Sequence, residues 1–296
     1  MPNIIHYSFN TRFIYFQVRC KVQASHTATT LTLQTNNRLS NISEDSIAIV
    51  KQIVMNHNKH YRSISFGEDV LKGLINASLF ATPVNMENNI VAFRTEFEKI
   101  VKTAHYFPDF MNLPPTLQRT LLKHNASLII SLVSSLCTIV DEKLFTDILV
   151  DSLSISDVAV LKSLMTSMVE FQGGADHNLK QITYETRTHG FNFNDVNIKN
   201  RHEVLESNVG AKVACDSNLL KLLSYILLFC SDFSDEDINV ESRDTVQNIQ
   251  EKLVVLLQGY MYANISEIEP SLRFAQIMEC LVELRELSEI TNNIGF

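Results

Sequence analysis

The chain has 296 residues, 45% of them hydrophobic, and a formal net charge of −8. That is enough apolar mass for one large core, and an acidic balance gives no electrostatic reason to hold a phosphate backbone, so direct nucleic-acid binding is not expected. Only 8 glycines and 6 prolines interrupt it, which disfavours all-β and Gly-loop nucleotide folds and favours helices.

The five cysteines, Cys20, Cys137, Cys215, Cys230 and Cys280, are odd in number, widely spaced and free of any CxxC pair. They fit reduced, mostly buried thiols better than a disulfide scaffold or a zinc site. The longest apolar run, Leu219 to Cys230, is broken by Lys221 and Ser224. It falls short of the ~18–20 residues that span a bilayer, so a buried helix is expected there and no membrane partner.

Residues 1–40 carry Arg12, Arg19, Lys21 and Arg38, no Asp or Glu, and a Ser/Thr-rich second half. That composition is shared by transit peptides and by linker-like or disordered tails, and the tail reading is the simpler one. The folded domain is therefore expected over 41–296.

Asn41 or Ser43 can cap the first helix, with Glu44 as the reciprocal partner. Ile47, Val50, Ile53 and Val54 then form one stripe running towards Tyr61. His57, near the end of this helix, reads as a packing or capping residue before it reads as a metal ligand. Residues 62–88 look like a loop with a short apolar segment from Val70 to Phe80.

From Asn89 to Tyr106, residues Ile90, Phe93, Phe97, Ile100, Val101 and Ala104 share one helical face, with Arg94, Glu96, Glu98 and Lys102 largely opposite. Pro108 ends that helix. Pro115 opens the next, which is expected to run to about Val140 with no broad polar face, so it needs cover on more than one side. Leu161 to Phe171 reads as a further helix stopped by Gly173-Gly174.

Residues 172–216 are polar and poorly periodic and are expected to be an insertion. Within them Ile182, Tyr184, Phe191 and Phe193 alternate around His189-Gly190, compatible equally with a small β-hairpin and with irregular chain. Leu219 to Cys230 is apolar nearly all round. The acidic run Asp232, Asp235, Glu236 and Asp237 lacks the alternation and glycine of a calcium loop and reads as solvated. Thr245 to Tyr262 places Val246, Ile249, Leu253, Leu257 and Tyr260 on one face. Leu272 to Ile290 has two stripes: Phe274, Ile277, Leu281 and Leu284, and beside them Ala275, Met278 and Val282. One can face a core and the other a partner.

No nucleophile–base pair, metal cluster or phosphate loop assembles from these residues, so neither an enzyme nor a cofactor is expected. About seven to nine helices, two of them apolar nearly all round, imply an all-α architecture with central helices between outer ones.

The stretch Thr103 to Lys123, TAHYFPDFMNLPPTLQRTLLK, carries a resemblance. Ala104, Pro108, Phe110, Leu113, Gln118, Leu121, Leu122 and Lys123 fall in register with the signature of nuclear-receptor ligand-binding domains. His57 to Tyr61, Met168 to Gln172, Phe229 to Asp232, Ile249 to Leu253 with Tyr260, and Arg273 to Leu287 resemble further family segments, in order, over roughly residues 39–294. The vitamin D receptor-like subfamily is the most similar. Met168 to Gln172 resembles the end of the family's seventh helix.

That resemblance implies a three-layer antiparallel helical sandwich and a lipophilic small-molecule ligand in an apolar pocket. The implied lining is Ile90, Phe93, Phe97 and Ile100 with Ser131, Val133, Ser134 and Leu136. It also implies a coregulator groove at His105, Gln118, Leu122 and Lys123 that holds a peptide helix. A dimer face at Arg273, Met278, Val282 and Arg285 would serve a receptor heterodimer partner or a homodimer. Transcription regulation in the nucleus, and also in the cytoplasm, is the implied role. The chain departs from the family where Val133 replaces an Arg, Leu128 a Glu and Leu117 an Asp, which argues against a carboxylate-bearing ligand. Thr103 and His105 also differ from the signature. Neither a zinc DNA-binding module nor a final activation helix is expected in this chain. The plainer alternatives are a filled core at the pocket positions, a surface lysine at Lys123, and a ligand-independent helical scaffold or dominant-negative dimer partner.

Overall fold

A computed structural model describes residues 36–79, 85–135, 153–171, 196–213, 217–231, 238–264 and 270–294. All regular structure among the described residues is helical. In chain order it comprises α1 (Asn36–Tyr61), α2 (Glu68–Leu79), α3 (Met86–Ala104), α4 (Pro108–Met111) and α5 (Pro115–Ser135). There follow α6 (Ile155–Phe171), α7 (Val196–Val213), α8 (Ser217–Leu228), α9 (Val240–Asn264) and α10 (Pro270–Ile294).

Local chemistry explains several of these boundaries. Asn85 caps α3 by accepting the Glu87 N–H at 2.9 Å, and Asn239 caps α9 by accepting the Ser242 N–H at 2.8 Å. At the start of α6, Ser154 Oγ accepts the Asp157 N–H at 3.1 Å while the Asp157 carboxylate accepts the Ser154 N–H at 3.4 Å. This is a capping box with aspartate in the usual glutamate place. Pro108 and Pro115 open α4 and α5, where a missing N–H costs nothing.

Three helices do most of the central packing. α5 packs against α3, α7, α8 and α10; α8 against α1, α5 and α9; α9 against α1, α8 and α10. Their shared interior is one continuous core that includes Val50, Ile100, Phe110, Leu121, Leu132, Val209, Ile226, Leu257 and Ile277. Each such side chain contributes about 1.5–3 kcal/mol by leaving water. α2 packs against α3 and α6, at one side of α3. Gly73 of α2 faces the Asn88 side chain of α3 so closely that a Cβ there would collide with it.

Several expectations change. α1 begins at Asn36, upstream of the expected caps, so Asn41 and Ser43 lie inside the helix. α2 occupies much of the segment expected as loop. The largest change is α7, because a helix runs through 196–213 where a polar insertion was expected. His202, Leu205, Glu206, Val209 and Val213 are buried on its inner side. α7, not α6, is therefore the helix that precedes α8 and packs on α5 and α10, while α6 packs on α2. The similarity read at Met168 to Phe171 thus falls on α6. Gln172, the hairpin segment 182–193, the acidic run 232–237, the tail 1–35 and the stretch from Leu136 to Val140 lie outside the described residues.

Candidate functional site

The segment from α3 to α5 is built as a rigid corner. The His105 ring Nδ1–H donates to the Val101 carbonyl at 2.7 Å, and its backbone N–H reaches the same carbonyl at 3.1 Å, closing the end of α3. Phe107, just before Pro108, takes an extended conformation (φ −95, ψ 115), as a residue preceding proline must when helix is sterically disfavoured. The single turn of α4 then drives Phe110 to complete burial, near Phe229 of the α8 end (ring centroids 6.3 Å) and the His105 ring (5.8 Å).

Gln118 fixes the corner from the other side. Its side-chain Nε2 donates to the Leu113 carbonyl at 2.8 Å and to the Met111 carbonyl at 3.3 Å. These carbonyls lie at and just beyond the end of α4, so α5 itself satisfies groups that would otherwise need water. Leu113, Leu117 and Leu121 are buried beneath. Above them the corner leaves Tyr106 and Met111 exposed (51% and 48%), with His105, Arg119 and Lys123 also at the surface and Leu122 buried. A well-packed corner carrying exposed apolar side chains and cations has the chemistry to hold an amphipathic helix.

The described residues expected to line a pocket sit on α3 and α5 at different depths. Ile100 and Ser131 are buried, Phe97 and Val133 are partly buried and packed on the core, Phe93 is half-buried, and Ile90 is 51% exposed. The side chains of Ser134 and Leu136 lie outside the described residues. At the expected dimer face, Arg273 and Met278 are buried and Arg285 donates to Cys230 Sγ at 3.4 Å. Val282 is 46% exposed, with Leu272 on α10 and Val255 and Tyr262 on α9 also exposed. Met278 belongs to the monomer's own core, so any partner contact on α10 falls to its exposed side chains.

Most buried polar groups escaped the sequence reading, His57, expected as a packing or capping residue, being the exception. Lys99 on α3, which the apolar stripe does not include, is fully buried. Its Nζ lies 3.5 Å from Glu96, 3.9 Å above the Phe66 ring and 5.2 Å above the Tyr61 ring, while Tyr61 donates to Glu96 at 2.5 Å. Asn125 on α5 donates to the carbonyls of Leu228 (3.0 Å) and Cys230 (2.7 Å), capping the end of α8. His57 is packed between Tyr61 and Tyr225, at ring-centroid distances of 4.9 and 5.8 Å, and its Nδ1 has no hydrogen-bond partner. Burial first, and then the charge of Lys221, push its pKa down to about 3. His202 on α7 is pushed down to about 4 by burial, with Glu206 at 3.6 Å. The Ser154–Asp157 box at α6 carried a sequence signal of its own, the Ser-x-x-Asp spacing.

No group of three or more His, Cys, Asp or Glu among the described residues is arranged to hold a metal ion. No helix among them is long and apolar enough to cross a membrane. In comparison with known proteins, no family model and no curated protein matches the chain.

Proposed function

We propose that the chain acts as the ligand-binding domain of a nuclear-receptor-type transcription regulator. It takes a small lipophilic ligand at the α3–α5 contact and offers the α3–α4–α5 corner to a coregulator helix. The observation that carries this reading is the corner itself. Gln118 ties α5 to the carbonyls of Met111 and Leu113, Phe110 is sunk in the core, and His105, Tyr106, Met111 and Lys123 remain outside. The same reading implies action in the nucleus and pairing with a second receptor-type chain, supported by exposed Val255, Tyr262, Leu272 and Val282 on α9 and α10. A second reading, a ligand-independent scaffold, is favoured by the burial of Ile100 and Ser131 in an already packed interior.

Thermal melts of the purified chain against a panel of neutral lipophilic compounds separate the two readings. A ligand at a hundred times its Kd stabilises the folded state by about 2.7 kcal/mol, so a true ligand raises Tm by several degrees. A labelled LxxLL helix should then bind, and Lys123→Ala should weaken that binding without lowering Tm. If no compound moves Tm while the peptide binds, the scaffold reading stands. If neither binds, the receptor-type reading is lost.

A further inference from the structure

Ser65 lies in the irregular link between α1 and α2 and is exposed, yet its hydroxyl is engaged with a buried acid. It donates to Asp157 Oδ1 at 2.6 Å, and Oγ also accepts the Gly67 N–H at 3.0 Å. Asp157 is only 1% exposed and in addition accepts the N–H groups of Phe66 (3.3 Å) and Ser154 (3.4 Å). Arg62 strengthens the same connection by donating from Nε to the Leu153 carbonyl at 3.1 Å. The link before α2 is thus clasped to the start of α6 by very few bonds, and the shortest of them depends on one serine proton.

The sequence around that serine is Lys59-His-Tyr-Arg62-Ser-Ile64-Ser65-Phe66. It places an arginine three residues before an exposed hydroxyl, a further lysine upstream of it, and apolar side chains on either side of the serine. Charge complementarity of this kind recruits protein kinases whose substrate groove is acidic. We propose that Ser65 is the acceptor of a basophilic serine/threonine kinase, and that its phosphate unlocks the clasp between the α1–α2 link and α6.

The chemistry balances with ATP as the only co-reactant. Ser65 Oγ attacks the γ-phosphorus, the bond from that phosphorus to the β–γ bridging oxygen breaks, and ADP leaves. The hydroxyl proton passes to the kinase's carboxylate base. The product has lost the proton that Asp157 accepted and carries a charge of about −1.5 to −2. It faces a buried carboxylate with little solvent screening, and Glu68 and Asp69 in the first turn of α2 add to the repulsion. Of the cations close in sequence, Arg62 gives its Nε–H to the Leu153 carbonyl and Lys72 pairs with Glu68 at 2.5 Å.

In the closed clasp both Ser65 and Arg62 are held, so the kinase takes the opened form and the phosphate prevents return. That is a population shift driven by modification. Because α2 also packs on α3 and Gly73 abuts Asn88, opening the clasp bears on the α2–α3 contact.

The test incubates the full chain with the catalytic subunit of a kinase that reads arginine three residues before its acceptor, with Mg·ATP. Peptide mass spectrometry maps the phosphate on wild type, Ser65→Ala, Ser63→Ala and Asp157→Asn. Phosphate is expected on Ser65, absent in S65A and retained in S63A. Phosphorylated wild type should exchange amide hydrogens in residues 62–79 and 155–163 about tenfold faster or more than the mock-treated protein. In D157N, where a neutral amide replaces the opposing charge, phosphorylation should raise exchange much less. Phosphate confined to other residues overturns the proposal. So does phosphate on Ser65 without faster exchange, or an equal rise in D157N.

Discussion

α8 and the α7–α10 seam both bury apolar side chains, but the seam adds a line of ion pairs at its edge. Every residue of α8 from Leu219 to Leu228 is buried, and the helix is held by apolar contact on several sides. Of its polar groups, Ser224 donates back to the Leu220 carbonyl at 3.0 Å and Lys221 is buried as well, while Asn125 of α5 caps the far end. The seam instead flanks a buried apolar row, Leu205, Val209 and Val213 of α7, with a line of charges. Arg201 grips Glu286 with two bonds of 2.6 and 2.7 Å, Lys212 reaches Glu283 at 2.8 Å and Glu279 at 3.2 Å, and Asn208 donates to Glu283 at 3.3 Å. Apolar burial is strong and indifferent to register, whereas ion pairs are individually weak and fix which turn meets which. Apolar burial therefore supplies stability in both regions, and the charges of the seam add alignment.

The largest expected effect comes from the centre. Leu222→Ala, at a fully buried position, should cost about 2–5 kcal/mol in urea unfolding. A loss comparable to that of a seam variant would erase the contrast. Next, Asn125→Ala leaves the Leu228 and Cys230 carbonyls without their donor, and denaturant midpoints should report a loss of about 2–3 kcal/mol.

Acid probes both regions together. His57 lies against α8 and His202 on α7, and both have folded pKa values, about 3 and about 4, below the ordinary histidine value of 6.5. Between those limits the unfolded chain binds more protons, so stability is complete above pH 6.5 and falls as pH drops. At pH 5 the His57 contribution to that loss is about 2 kcal/mol, and His57→Leu should flatten the slope of melting temperature against pH. A slope unchanged by H57L would remove His57 from the account.

The smallest effect belongs to the seam. Glu283→Gln should cost about 1 kcal/mol, a cost that shrinks in 1 M salt, while that of Leu222→Ala does not. If the seam variant proves salt-insensitive, alignment rests on something other than charge.

The same division decides what could be read from the chain. α3, α5, α8, α9 and α10 were legible because their apolar residues recur at helical spacing, and their observed spans follow those stripes. α7 was not, because His202 and Glu206 occupy buried positions on its inner side and leave only Leu205, Val209 and Val213 to mark the period. Where polar residues face inward, a hydrophobic pattern cannot reveal a helix. Of the candidate site, the corner residues were singled out only through the family resemblance, and what they do in the fold was not legible. The Gln118 tie and the surface position of Tyr106 and Met111 both depend on how α4 turns. At the expected dimer face depth was hidden from the sequence, and Met278 proved to be interior.

Lys99 has a practical consequence. An amine sealed beneath Phe66 and Tyr61 is shielded from acylating reagents, while Lys51, Lys59 and Lys123 at the surface are open to them. Brief acetylation followed by peptide mass spectrometry should leave Lys99 unlabelled in the native protein. Its labelling rate becomes a clock for the moments when α3 lifts away from the link that covers it. The chain thus carries its own chemical reporter of opening, with no probe to be engineered.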